Sequence, residues 1–388
     1  MHHQSHRKLA IVRRFDFVIA GAGLAGLTLA AALAHGHPER TLLLVDPRAE
    51  RVAMGAAQAE LDRTIGFWLD RPPPFAELIE RSFATLRVEA PGAARTLELG
   101  EHRYHTLRWS RLREHLLAEL RKQPALTRQH GRVDGFVERD GELIAIVDGE
   151  PIAAEFGFDS RLELARLRRA PGRVLTWQSF CGLRVECDEP RFDPEQATFM
   201  DLRASTCERL AFGNVVPDGP RAALVYHVEI GPQQTPAAMR AALEVGLRER
   251  HGLSSFRVRG HEAGVLPLTD QPFVRRVGRV RRIGIAGGRL KPSTGYAFTR
   301  ILADNDAILR SLAQHGHPFG GVRAQRGARL LDGVLLDVLT RAPQLGPELF
   351  MGMFTRCDPS TVFALLDERA SLAQLLAIMA AMPTKRSR

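Results

Sequence analysis

The sequence predicts an α/β fold: a Rossmann-like dinucleotide-binding domain, an inserted and mostly antiparallel β domain, and a helical C-terminal region. Three observations predict it. A glycine-rich turn joins an apolar strand to a helix close to the N-terminus. Strand-like alternation dominates from about 174 to 270. In the last part of the chain, apolar side chains recur at helical spacing.

The elements follow in order. Phe15 to Ala20 is an apolar strand that runs into Gly21-Ala22-Gly23-Leu24-Ala25-Gly26. Leu27 to about His35 is a Leu- and Ala-rich helix stopped by Gly36 and Pro38. Thr41 to Val45 suits a buried parallel strand, completing a βαβ unit. A Gly/Ala-rich, loop-like stretch then runs to about Ala59, and Pro72-Pro73-Pro74 breaks the chain again. Trp109 to Arg121 has the spacing of an amphipathic helix. Phe136 to Val147 is a hairpin pattern with Asp140-Gly141 at the turn. Ala222 to Ile230 is expected as a strand and Pro236 to Glu249 as a helix. Arg282 to Ala286 is expected as a short apolar strand before Gly287-Gly288, with a helix through Thr299 to Leu309. One apolar-faced helix is expected from Pro359 to Met382. Its stripe of Val362, Phe363, Leu365, Leu366, Leu372, Leu375, Leu376 and Met379 would face the core or cap a lipid-accessible opening.

Composition narrows the function. With 388 residues, 45% hydrophobic and 25% charged, the chain is long enough for two or three domains and is not a disordered polymer. Cys181, Cys187, Cys207 and Cys357 form no CxxC pair, so they are expected as reduced thiols of a cytoplasmic protein, with no metal site. No apolar run reaches the roughly 18 residues of a membrane span. The basic N-terminus is not followed by the apolar core of a signal peptide. The net charge of +10 raises three partners: nucleic acid, an anionic membrane and an anionic cofactor.

The Gly21-x-Gly23-x-x-Gly26 turn points to the cofactor. The first glycine permits the tight turn, the second lets a pyrophosphate approach the backbone, and the third lets helix and strand pack closely. The helix start offers free N–H groups to phosphate. Asp46, ending the second strand, suits a ribose diol and argues against a 2′-phosphate. The early βαβ unit, a second domain and a late glycine-rich strand favour FAD over NAD. Residues 1–14 are then a basic extension, 15–173 with 271–320 the FAD-binding domain, 174–270 a β-rich substrate domain, and 321–388 the helical region.

At further positions the sequence resembles the FAD-dependent lycopene cyclases of the soluble bacterial β-cyclase type. The likeness lies in Tyr104-His105-Thr106-Leu107 with Ser110-Arg111, Asp159-Ser160-Arg161, Gln178-Ser179-Phe180-Cys181-Gly182, Met200-Asp201 and Gly264-Val265-Leu266-Pro267-Leu268. Its most specific part is Gly287 to Tyr296, where Pro292-Ser293-Thr294-Gly295-Tyr296 is similar to the family's Pro-Thr-Thr-Gly-Tyr. Flavin hydroxylases, which share this GR2-type fold, usually carry Gly-Asp at the same strand end. Gly287-Gly288-Arg289 departs from that and favours the cyclase branch. The resemblance implies that Gly21, Gly23, Gly26, Asp46, Arg111, Asp159, Gly287, Gly288, Pro292, Thr294 and Gly295 contact FAD. Arg111 and Arg161 are equally readable as surface or salt-bridged arginines.

The resemblance also implies a reaction: acid-initiated, redox-neutral cyclisation of the ψ-end of a linear carotenoid on reduced FAD, with NAD(P)H as external reductant. The family's acid is a Glu within Ala-Leu-Val-Glu. Here that register holds Tyr226, in Ala223-Leu224-Val225-Tyr226-His227-Val228-Glu229. Two readings stand. His227 and Glu229 point into a substrate tunnel as an acid–base pair, or they form the polar face of a half-buried strand while Tyr226 and Val228 take the other. Asp201 is a further candidate acid, or an ordinary strand-end residue.

The alternative function is an FAD-dependent monooxygenase or dehydrogenase acting on a hydrophobic terpenoid or other small molecule. A third reading is a flavin fold that has lost its chemistry. No nucleic-acid signature accompanies the charge, so nucleic acid drops out. Basic clusters at Arg166 to Arg173, Arg275 to Arg282 and both termini are expected to draw the protein to the inner face of the membrane, where a carotenoid dissolves.

Overall fold

The computed structural model describes residues 13–47, 62–164, 167–320 and 326–382. The Gly/Ala-rich stretch to Ala59, most of the basic N-terminal extension, Arg166 and the tail from Lys385 lie outside the described residues.

The chain opens with β1 (Arg13–Ala20), α1 (Leu24–Gly36) and β2 (Leu42–Asp46). These are parallel strands joined by a helix, with Phe17 facing Leu42 and Ala20 facing Val45. Then follow β3 (Thr64–Leu69), β4 (Ile79–Phe83), β5 (Thr85–Ala90), β6 (Ala93–Glu98), β7 (Arg103–Arg108), α2 (Trp109–Arg121) and β8 (Leu126–His130). The expected hairpin is β9 (Val133–Arg139) with β10 (Glu142–Val147), and Asp140 and Gly141 both take the positive φ that its tight turn requires. β11 (Glu150–Asp159) returns beside β1.

The second region comprises β12 (Leu175–Glu186), β13 (Gln196–Asp201), β14 (Leu210–Gly219), β15 (Ala222–Gly231), α3 (Pro236–Glu249) and β16 (Arg257–Thr269). The short strands β17 (Arg276–Val277) and β18 (Val280–Arg282) bring the chain back to the first sheet. The helices α4 (Phe298–His315), α5 (Arg326–Arg341), α6 (Gly346–Arg356), α7 (Pro359–Leu366) and α8 (Leu372–Ala381) complete it.

Two large sheets result. The first runs β17-β18-β11-β1-β2-β8, with the β9–β10 hairpin on β11. Its apolar strands pack against α1, α2 and α4 through Ile19, Leu29, Leu112, Ile301 and Ile308. The second runs β16-β12-β15-β14-β13-β5-β6, antiparallel except where β13 meets β5. One face of it, with Leu183 and Val225, packs on Met239 and Leu243 of α3. The other face joins Phe350, Phe354 and Phe363 of the C-terminal helices. The small sheet β3-β7-β4 lies beside them.

Three expectations need correction. β5 and β6 lie within 15–173 in sequence but pair with the second sheet, because β13 adds to β5 in parallel. The strand expected at Arg282 to Ala286 ends at Arg282. From Ile283 the backbone turns instead, with Gly287 N donating to Ile283 O at 3.1 Å and Gly284 at φ +61. The helix expected over 359–382 breaks in two. Glu368 takes φ +59, Arg369 N donates to Ala364 O at 2.8 Å, and Ser371 with Gln374 forms a capping box that starts α8.

Among the described residues no helix is long and apolar enough to cross a membrane, and no three His, Cys, Asp or Glu side chains gather as a metal site.

Candidate functional site

The glycine turn is held from both sides. Gly21 has φ +98, and a Cβ on Gly26 would lie 1.8 Å from Gly21 O, so helix and turn fit only without it. A Cβ on Gly23 would meet nothing within 4 Å. No side chain caps the start of α1. Open space in front of Gly23 and uncapped N–H groups are what a pyrophosphate requires. Asp46 Oδ2 accepts from Ala22 N at 2.5 Å, which fixes the carboxylate beside the turn.

Two of the residues expected at FAD, Arg111 and Asp159, pair with protein groups. Arg111 is well exposed, its Nε 3.6 Å from Glu80. Two positions on, Arg113 is half-buried and feels the charge of Asp46, so Arg113 is the basic residue that α2 turns toward the site. Two helical steps of 100° set Arg113 on a different side of α2 from Arg111. Asp159 is engaged by Arg161, which donates from Nε at 2.8 Å and Nη2 at 2.9 Å. Its neighbour Ser160 meets the glycine turn, with Oγ donating to Ala20 O at 2.7 Å.

The segment after β18 forms a closed loop. Lys291 N donates to Tyr296 O at 2.8 Å and Gly295 N to Lys291 O at 3.0 Å, with Pro292 half-buried between. Gly287 and Gly288 form the preceding turn, and Gly288 has φ +69. Buried charge backs the loop: Lys291 Nζ is 2.7 Å from Asp332 of α5, and Arg300 of α4 pairs with Glu368. Burial pushes the Asp332 carboxyl up, partly opposed by Lys291 and the Ser293 hydroxyl. Arg289 is buried as well, and desolvation together with Arg275 pushes its guanidinium down to about 10.

Between this loop and the second sheet lies a cavity of about 180 Å³. Ser293, Thr294, Gly295 and Tyr296 form one wall, and Gln178, Phe180, Met200, Tyr226, Val228 and Ile230 another. Phe350, Met353, Phe354, Val362 and Leu366 of α6 and α7 close it. All three tyrosines of the chain, Tyr104, Tyr226 and Tyr296, line it, and burial raises each phenol. Among the described lining residues there is no carboxyl group. Gln178 Oε1 and Thr294 Oγ1 are buried with no protein hydrogen-bond partner, and both border the cavity. Such orphaned polar atoms fit a polar ring edge lying between them. The two motif segments therefore meet, and a Cβ on Gly295 would lie 2.7 Å from Gln178 Oε1.

The acid–base pair read into His227 and Glu229 does not reach this cavity. On β15, Tyr226, Val228 and Ile230 face it. His227 and Glu229 point to the opposite face, where His227 Nε2 lies 3.0 Å from Glu229 Oε1 and Arg209 Nη1 donates to Glu229 Oε2 at 2.8 Å. Burial raises the Glu229 carboxyl, but His227 and Arg209 outweigh it and hold the group below the usual carboxylate range. That is the opposite of what a general acid needs. Strict alternation along a strand without a bulge at this point is the reason. Asp201 also turns away from the cavity, held by Arg203 Nε at 2.7 Å and Nη2 at 2.9 Å.

The residue missed in the sequence is Glu262. It is 3% exposed and accepts from Thr64 N at 2.8 Å, Thr64 Oγ1 at 2.9 Å, Arg184 Nη2 at 3.2 Å and the Tyr226 hydroxyl. Its only sequence signal is its place two residues before Gly264 of the Gly-x-Leu-Pro segment.

Comparison with known proteins follows the same lines. The family model described as lycopene cyclase protein matches residues 16–388. No curated protein matches the sequence. Among solved structures, a geranylgeranyl bacteriochlorophyll reductase-like protein from Thermoplasma acidophilum aligns with a TM-score of 0.61 at 13% identity, over 96% of this chain and 97% of that one. A flavoprotein/dehydrogenase from Cytophaga hutchinsonii gives 0.57 at 13% identity, over 95% and 100%. A p-nitrophenol 4-monooxygenase from Pseudomonas putida gives 0.55 at 14%, over 96% and 95%. At such identities the likeness is one of fold.

Proposed function

The chain belongs to the lycopene cyclase family, and on that premise we propose that it is an FAD-dependent enzyme closing the ψ-end of a linear carotenoid into a ring without net oxidation. The observation that carries the reading is the aromatic-walled cavity formed where the Pro292–Tyr296 loop meets the second sheet. Lycopene, converted to γ- or β-carotene, is the simplest substrate; another terpenoid chain with the same end group would fit the same chemistry.

The glycine turn and the start of α1 would take the FAD pyrophosphate, Asp46 the ribose, and Thr294 with Gln178 a polar edge of the ring system. When bound and reduced, with NAD(P)H as external reductant, FAD would supply an electron-rich ring that steadies positive charge. The chain's own part is to exclude water with Phe350, Phe354 and Phe363. The rings of Tyr104, Phe180, Phe199 and Tyr296 line the cavity and would face the developing cation.

An FAD-dependent monooxygenase or dehydrogenase of a hydrophobic molecule is the second reading. The absence of a carboxyl group from the described cavity wall favours it, because redox chemistry needs no strong acid there.

Membrane contact is part of the proposal. α8 exposes Leu372 by 74%, Leu376 by 57% and Met379 by 57%, on the outside of the helices that close the cavity. An apolar stripe there suits a lipid surface. The Arg275 to Arg282 cluster supports this less than its sequence suggests, since Arg275 and buried Arg281 both pair with Asp304.

Co-expression in lycopene-accumulating cells, followed by pigment chromatography, tests the proposal. Cyclic carotenes support it. Unchanged lycopene, with NAD(P)H and O2 consumed in proportion to another product, would replace it with the second reading.

A further inference from the structure

Tyr226 occupies the register in which the family places its catalytic carboxylate, yet a carboxylate stands behind it. The reason is a row across three strands. On β12, Gly182 lies opposite Tyr226 of β15 on one side and opposite Glu262 of β16 on the other. Tyr226 and Glu262 are thus two strands apart, about 10 Å at the usual strand spacing. Gly182 leaves the gap between them empty, and the phenol ring fills it: a Cβ at Gly182 would lie 2.5 Å from Tyr226 Cε1. The ring carries its hydroxyl across the row to donate to Glu262. Among the described residues, neither Tyr104 nor Tyr296 has a hydrogen bond to a carboxylate.

We propose that Tyr226 is the catalytic residue that takes the proton from the cyclised cation, and that Glu262 acts through it as the final acceptor. This rests on the cyclase reading. Arg184 and the two Thr64 donors pair with the Glu262 carboxylate, and the Tyr226 hydroxyl donates to it. The ring cation gives a C–H proton to the Tyr226 oxygen while the phenol's own proton moves to Glu262. The C–H electron pair becomes the ring double bond, and Glu262 then gives up its proton to solvent. One proton leaves the cation and no electron is exchanged.

The test uses the full chain carrying FAD, with lycopene as the polyene. Tyr226→Phe and Glu262→Gln should each slow conversion by at least about a hundredfold, with FAD content unchanged. The double variant Tyr226→Glu with Glu262→Gln returns a carboxyl to the cavity wall and should recover conversion, which loss of a merely structural contact would not allow. A second readout needs no substrate. 3-Fluorotyrosine labelling gives one 19F signal for each of the three tyrosines. Glu262→Gln should move the signal that Tyr226→Phe removes and leave the other two in place. Glu262→Gln converting at the wild-type rate, an unmoved signal, or a folded, FAD-loaded double variant that stays inert would overturn this assignment alone. A wild type that cyclises no polyene would overturn the cyclase reading and this role with it.

Discussion

Ser293 Oγ donates to Asp332 Oδ1 at 2.5 Å, which ties the cavity-lining loop to helix α5 of the C-terminal region. The same carboxylate faces Lys291 Nζ, so one buried residue far along the chain holds both ends of the loop's first half. Asp332→Ala would leave Lys291, 1% exposed, as an unpaired buried charge. The expected loss is about 3–5 kcal/mol in chemical denaturation, accompanied by loss of bound flavin. Asp332→Asn, which still accepts from Ser293, should lose less. Equal stability of wild type and Asp332→Ala would show that the loop does not depend on this anchor.

Gly23 and Gly26 should fail differently. Gly26→Ala meets Gly21 O at 1.8 Å and is expected to destabilise the fold itself. Gly23→Ala meets no protein atom and should fold with wild-type melting behaviour, yet emerge without the flavin absorbance. Flavin retained by Gly23→Ala would argue against phosphate approach at that backbone.

Gly182→Ala places a methyl group against the Tyr226 ring. Overpacking of this kind costs about 1–3 kcal/mol. Conversion should fall as far as in Tyr226→Phe, because the ring can no longer span the row to Glu262. A folded Gly182→Ala that works normally would show that the gap is not needed.

Glu229→Gln should leave conversion unchanged, since the side chain faces away from the cavity. Stability should respond instead. A carboxyl held below its ordinary range stabilises the fold above the unfolded-state pKa, and that contribution is lost as pH falls through the lower folded-state value. Removing its charged hydrogen bonds should cost about 2 kcal/mol near neutral pH. The gap between variant and wild type should close in acid, which denaturation curves at several pH values would reveal.

Leu376→Asp on α8 should weaken co-sedimentation with vesicles containing anionic lipid, without changing flavin content. Binding that is abolished by salt but indifferent to this substitution would shift the contact from the apolar stripe to the basic surface.

Much of the fold was legible because its signals are local. The strand, glycine turn and helix around Gly21 follow from backbone sterics. The Asp140-Gly141 turn follows from positive φ, and the faces of β15 from strict alternation. The split of the last helix was less visible, since Glu368 gives no composition cue for a left-handed residue. Arg111 and Arg113 differ only in which side of α2 they occupy, which depends on what α2 packs against.

By itself, then, the sequence determined the family, the dinucleotide turn, the segments that carry the site and the puzzle at position 226. Tertiary structure alone decided how those segments meet. It set His227 and Glu229 on the far face, brought α6 and α7 over the cavity, and stood Glu262 behind Tyr226. The physical reason is distance along the chain. Tyr226 and Glu262 are linked only through a third strand, and their contact exists because Gly182, remote from both in sequence, has no side chain to prevent it.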